Sequence, residues 1–194
     1  MDYSQFLIMR GEISLLLVFL LIFLFDTFGG KKSLKGLSIT ACVLFALHTV
    51  WNIIPVDSAT AFGGMYQTSP IASMVKTVLN IGTLIVLLQS ISWSDIPDVK
   101  LRRGEFYELL LVTLFGMYLM VSSGHFLLFF IGLETASLPM AALIAINKKD
   151  TESYEAGAKY LFTAVFSSAV FLLGLSFLYG VSGSLYFGEI AVAI

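Results

Sequence analysis

Residues 126–146 read FLLFFIGLETASLPMAALIAI, from Phe126 to Ile146. A helix rises about 1.5 Å per residue, and about 20 apolar residues cross the hydrocarbon core of a bilayer. The stretch is therefore predicted to be a membrane span, and it carries one carboxylate, Glu134, near its middle. A charge at that depth costs roughly 2.5–3.5 kcal/mol on insertion scales, so an intramembrane acid is read as functional by default. Pro139 follows five residues later. It has no N–H, and its ring crowds the carbonyl four residues back, at Thr135, which must find a partner inside the protein.

Composition sets the same class for the whole chain. Of 194 residues, 58% are hydrophobic and only 12% charged, against about 25% charged in a soluble domain. The expected fold is all-α, a polytopic transmembrane helix bundle. A net charge of −2 without basic clusters interleaved with aromatics argues against nucleic-acid binding. The single cysteine, Cys42, excludes an intrachain disulfide framework and a Cys-based metal or iron–sulfur site. His48 and His125 are too far apart in sequence to suggest a haem or zinc site.

Outward from residues 126–146, about six spans are predicted. The first is a retained helix whose apolar run is Ile13–Phe25, bracketed by Glu12 and Asp26 as interfacial acids. A signal peptide is the rival, but Asp2 and Asp26-Thr27-Phe28 fit neither its basic start nor its cleavage site. The basic turn Gly29–Lys35 leads to a second span, Gly36–Ile54, which stops at Pro55. A loop from Val56 to Thr68, with Gly63-Gly64 as its flexible point, precedes the third span, Ser69–Ile91. After a basic loop from Ser92 to Glu105, Ser122-Ser123-Gly124-His125 divides a long apolar run into two helices in a tight hairpin, 106–122 and 126–146. The last span runs from Ser153 to Tyr179.

Lys31, Lys32, Lys35, Lys100, Arg102, Arg103, Lys148 and Lys149 all fall in alternate loops, and Arg10 alone falls on the other side. The positive-inside rule then places the N-terminus outside. Lys76 and Lys159 are left within predicted helices. At about 1.5 Å per residue, Glu134 lies roughly 13 Å and Lys76 roughly 10 Å below the outer helix ends, and Lys159 roughly 6–10 Å in from the cytoplasmic side. One hydrated polar path through Glu134, Lys159 and Lys76 is one reading, with Thr135, Ser137, Thr163, Ser167 and Ser168 as supporting hydroxyls. Snorkelling of both lysines to an interface is the other. His48 and His125 are expected to cap or hydrogen-bond near the outer surface. Glu152 and Glu155 suit the N-terminus of the sixth helix.

Gly132-Leu133-Glu134-Thr135-Ala136-Ser137-Leu138-Pro139, followed by Glu155-Ala156-Gly157-Ala158-Lys159-Tyr160, resembles the antiporter-like membrane subunits of NADH-quinone oxidoreductase, respiratory complex I. The likeness is greatest to the subunit N branch. Gly11-Glu12-Ile13-Ser14-Leu15, Gly63-Gly64-Met65-Tyr66, Lys76 and Leu178-Tyr179-Gly180 extend it over the chain. The resemblance implies a proton-translocating membrane-arm subunit. Glu134 falls on the family's essential fifth-helix glutamate and Lys159 on its sixth-helix lysine, with Lys76 a further relay candidate. It implies no cofactor on this chain, with NADH, FMN, iron–sulfur clusters and quinone in partner subunits. Its partners would be other complex I membrane-arm subunits and the lipid bilayer, and its location a bacterial inner (plasma) membrane.

On this resemblance, residues 1–105 form an N-terminal three-helix membrane segment, and residues 106–194 begin the proton-translocating antiporter-like domain. Family members are more than twice as long, so the chain is expected to be an N-terminal portion that does not pump alone. Two alternatives belong to other classes. One is a free-standing or hydrogenase-associated cation/proton antiporter subunit, and the other is a membrane scaffold subunit without transport.

Overall fold

A computed structural model describes residues 4–28, 34–93, 102–147 and 149–193. Apolar runs punctuated by proline, glycine and charge give helices almost where the sequence predicts them. A short α1 (Ser4–Ile8) leads into α2 (Arg10–Phe28), then α3 (Leu34–Asn52), α4 (Pro70–Trp93), α5 (Arg103–Val121), α6 (Phe126–Ile144), α7 (Thr151–Ser182) and α8 (Phe187–Ala193). Helices α2, α4, α5, α6 and α7 are long and apolar enough to cross a membrane, and α3 carries a shorter apolar run, Gly36–Asn52. The chain is an all-α polytopic bundle, and α6 remains continuous through Pro139.

The core lies among α2, α3, α4 and α5. Leu15, Val18 and Ile22 of α2 meet Leu37, Ala41 and Phe45 of α3, Leu87 of α4, and Tyr107, Leu111, Leu114 and Tyr118 of α5. Helix α6 lies against α5, and α7 against α6. Outward faces stay apolar: Leu47, Val50, Val78, Phe162, Phe166 and Val181 are all exposed. That pattern suits a hydrocarbon surround rather than water, because lipid removes the penalty for exposed apolar side chains.

The segment between α3 and α4 differs from expectation. Instead of a flexible loop, it forms a hairpin of β1 (Ala59–Ala61) and β2 (Tyr66–Thr68), paired antiparallel with Ala61 opposite Tyr66. Phe62, Gly63 and Gly64 all turn at positive φ, a conformation that glycine adopts without steric cost. The hairpin is ordered because its backbone groups find partners on other connections. Gln67 N–H donates to the Ser122 carbonyl at 2.8 Å, and Gly124 N–H to the Met65 carbonyl at 2.8 Å. Phe126 N–H donates to Leu185 O at 3.0 Å, and Phe187 N–H to Gly124 O at 3.2 Å. The hairpin, the α5–α6 turn and the α7–α8 turn are thereby stitched into one clasp on a single face of the bundle.

Of the basic residues expected in alternate loops, Lys31, Lys32, Lys100 and Lys148, with the side chain of Lys35, lie outside the described residues. Arg102 pairs with Glu105 at 3.4 Å. Arg103 opens α5 and is buried, rather than lying in a loop.

Candidate functional site

Two polar sites are built into the bundle. The first centres on Glu134, half-buried on α6. Ser168 of α7 donates its hydroxyl to Glu134 Oε1. Ser167, one residue earlier, turns back to the Thr163 carbonyl at 2.8 Å. The α6 backbone here is pressed onto α5. A Cβ on Gly116 would lie 2.4 Å from Ala136 N and 2.5 Å from Gly132 O, and a Cβ on Gly132 would lie 2.7 Å from Gly116 O. Both positions therefore have room only for hydrogen. The contact fixes α6 on α5 within two residues of Glu134.

The second site lies among the N-terminal helices. Gly11 and Glu12 are buried in the first turn of α2, and Glu12 is only 1% exposed. Lys76, on the second turn of α4 and 7% exposed, places Nζ 2.6 Å from Glu12 Oε1. Tyr66 of β2 donates its hydroxyl to Glu12 Oε2 at 2.8 Å. Ser122, after α5, reaches Oε1 at 3.4 Å. The ammonium also stands over the Tyr66 and Tyr118 rings, at 5.5 and 5.2 Å from their centroids, an arrangement the ring quadrupoles favour. Burial and the Glu12 carboxylate push the Tyr66 phenol well above the usual tyrosine range.

The polar chain continues inward from Tyr118. Its hydroxyl donates to Asn80 Oδ1 at 2.7 Å, so the 3.3 Å contact to His48 Nε2 is donated by the imidazole. His48 Nδ1 is then the acceptor, 3.0 Å from Ser14 Oγ and 3.2 Å from Asn52 Nδ2.

These placements bear on three expectations. Glu12 stands in the first turn of α2, and α4 brings a lysine to it inside the bundle. His48 hydrogen-bonds as expected one turn from the end of α3, but as a buried link among α2, α3 and α5 rather than a cap. Lys76 does not snorkel, because its ammonium is held by a carboxylate and two rings. His125, in contrast, caps as expected, accepting from Leu127 N–H at the start of α6 at 3.0 Å.

Glu134, Lys159 and Lys76 are not brought together. Lys159 pairs with Glu155 at 2.5 Å one turn earlier on α7, both side chains well exposed at 74% and 65%. Each of the three has its own partner, and no hydrogen bond or ion pair joins any two of them. Sequence reasoning missed Tyr66, Tyr118, Asn80 and the pairing of Glu12. A signal was present: His48/Asn52, Lys76/Asn80 and Tyr118/Ser122 are each four apart, so each pair shares one helix face. Among the described residues, no group of three or more His, Cys, Asp and Glu is placed to hold a metal ion.

Residues 123–194, which contain Glu134, Lys159 and Ser168, match the family described as NADH:quinone oxidoreductase/Mrp antiporter, TM. The whole chain is 47% identical to NADH-quinone oxidoreductase subunit N of Phocaeicola vulgatus. Subunit N of Azobacteroides pseudotrichonymphae is 41% identical over the full chain. Over its whole length the chain is thus similar to subunit N, and over residues 123–194 to the antiporter membrane family. The chain spans 41% of the length of each of these two relatives.

The family fold is also found in solved structures. Respiratory complex I from Thermus thermophilus contains a chain with TM-score 0.72 and 24% identity, over 95% of this chain and 41% of that one. An archaeal membrane-bound sulfane sulfur reductase gives TM-score 0.69 and 20% identity, over 96% and 39%. The Glu12–Lys76 site lies before the family-matched segment, in the part covered by the whole-chain relatives.

Proposed function

We propose that this chain is the N-terminal part of a proton-translocating membrane-arm subunit of NADH-quinone oxidoreductase, of the subunit N type. The observation that carries the reading is Glu134: a carboxylate in the middle of an apolar span, held by a serine from the neighbouring helix, in a chain 47% identical to a subunit N throughout. An acid is retained at such depth at a cost that packing alone does not repay. A single carboxylate can hold or release one proton, and its neighbours' charge and hydration decide which.

In this reading Glu134 is the relay carboxylate. Lys159 is a second relay group, with Glu155 holding its charge until another segment approaches, and Lys76 is a third member of the relay, acting through its charge on Glu12. Residues 1–105 act as a supporting segment and residues 106–194 begin the translocating domain. The N-terminus and the clasp face outward from a bacterial inner membrane. NADH, FMN, iron–sulfur clusters and quinone are bound by partner subunits, and the other membrane-arm subunits flank this one.

Glu134→Gln in the assembled enzyme tests the reading. NADH-driven proton pumping is expected to fall at least several-fold while the complex still assembles, and unchanged pumping refutes it. The family description also names Mrp antiporters, which favours a second reading as a cation/proton antiporter. Sodium-dependent proton exchange without NADH would select it.

A further inference from the structure

Between Glu12, Lys76 and the clasp lies a cavity of about 20 Å³, lined by Arg10, Glu12, Asn52, Tyr66, Ser73 and Lys76 among others. A volume of about 10–15 Å³ is enough for one water when polar partners surround it, and here they do. Arg10 turns its guanidinium NH2 to the Ile54 carbonyl, while its buried Nε has no partner. The cavity therefore joins an orphaned donor to a buried ion pair, on the face where the clasp meets the helix ends.

We propose that Glu12 and Lys76 form a proton-exchange site in the N-terminal three-helix segment, reached by a water held in this cavity and separate from Glu134. In the resting state Lys76 neutralises the Glu12 carboxylate at 2.6 Å, and Tyr66 and Ser122 donate to its oxygens. When the ammonium is drawn away, one proton from the bulk water outside passes through the cavity water to the carboxylate. When the ammonium returns, the proton leaves to the bulk by the same route. Lys76 keeps its own protons throughout.

The groups facing the pair are Arg10 on its own helix, Tyr66 on β2, Tyr118 and Ser122 from α5, and Asn80 and His48 through Tyr118. Among these Arg10 is the other cation, and it lines the cavity rather than touching the carboxylate. Among the described residues, Glu12 therefore has Lys76 as its direct counter-charge. A sealed structural ion pair would need neither a cavity beside it nor an unpaired Nε lining it.

The proposal rests on the helices being membrane spans and not on Glu134 acting as a relay. Its test is infrared spectroscopy of the protein purified from its native membrane with the partners it retains. Lys76→Met removes the counter-charge. The variant is expected to show a protonated-carboxyl C=O band that is absent from both wild type and the double variant Glu12→Gln/Lys76→Met. That band is expected to shift within seconds of transfer to heavy water. A K76M protein without the band, or with a band unmoved after hours in heavy water, overturns the proposal. If K76M does not accumulate, wild type minus the double variant, in which neither charge of the pair remains, is titrated with acid. A carboxylate-to-acid conversion in that difference supports the site, and a flat difference overturns it. Glu134→Gln leaves all these signals in place, so failure here and failure of the Glu134 reading are separable.

Discussion

Gly116 and Gly132 meet backbone to backbone: a Cβ on either would sit 2.5–2.7 Å from the other's carbonyl oxygen. The contact sets how close α6 comes to α5, and hence the depth and rotation of Glu134 two residues on. Overpacking a close contact costs about 1–3 kcal/mol. Gly116→Ala is therefore expected to lower thermal stability in detergent and to reduce accumulation in the membrane. Gly174→Ala on α7, where nothing lies within 4 Å of a new Cβ, should leave both unchanged.

Among the described residues, Ser168 is the one that gives Glu134 a hydrogen bond from another helix. A typical intramolecular hydrogen bond contributes about 0.5–1.5 kcal/mol net. Ser168→Ala should keep the bundle folded and lower NADH-driven pumping in the assembled enzyme, while Ser167→Ala, one residue earlier and bonded only to its own helix, should not. Equal effects of the two would show that the Ser168 contact is incidental.

A double-mutant cycle separates the Glu12–Lys76 interaction from its surroundings. Removing one partner of a buried pair costs about 3–5 kcal/mol, whereas neutralising both is often nearly free. Glu12→Gln and Lys76→Met are each expected to destabilise strongly, and the double variant to recover most of the loss. Additive losses in denaturant or thermal titration would contradict the pairing.

Tyr66 predicts an alkaline limb in stability. Its phenol is held above the ordinary value of about 10 by burial and by Glu12. Above that pH the unfolded chain gives up a proton that the folded chain keeps, so stability falls as pH rises. Tyr66→Phe removes this penalty along with the hydrogen bond to Glu12. The stability of wild type relative to Y66F should be greatest near neutrality and shrink above about pH 10, as measured by thermal melts of both proteins.

The spans and Glu134 were legible because they are local: an apolar run has a length, and a lone carboxylate within it stands out. Glu12 was not, because it sits at the edge of its apolar run, where an interface explains it equally well. What buries it is a lysine 64 residues later, and no local pattern announces that meeting. The burial of His48 was hidden for the same reason, since Ser14 and Tyr118 reach it from other helices. The hairpin escaped because its strands are three residues each, too short to show alternation, and because its order comes from the α5–α6 turn rather than from its own composition.

The distance between Glu12 and Lys76 along the chain has a consequence for how the protein is made. Chains grow at about 5–20 residues per second, so 64 residues take roughly 3–13 s. For that interval α2 waits with an acid that has no counter-charge. Lys76 then arrives on α4 carrying its own insertion cost of about 2.5–3.5 kcal/mol, and each residue becomes the reason the other can stay. Joining α2 to α4 is thus a timed step of biogenesis, and a pause in elongation between the two residues would lengthen the window in which the nascent chain is open to membrane proteases.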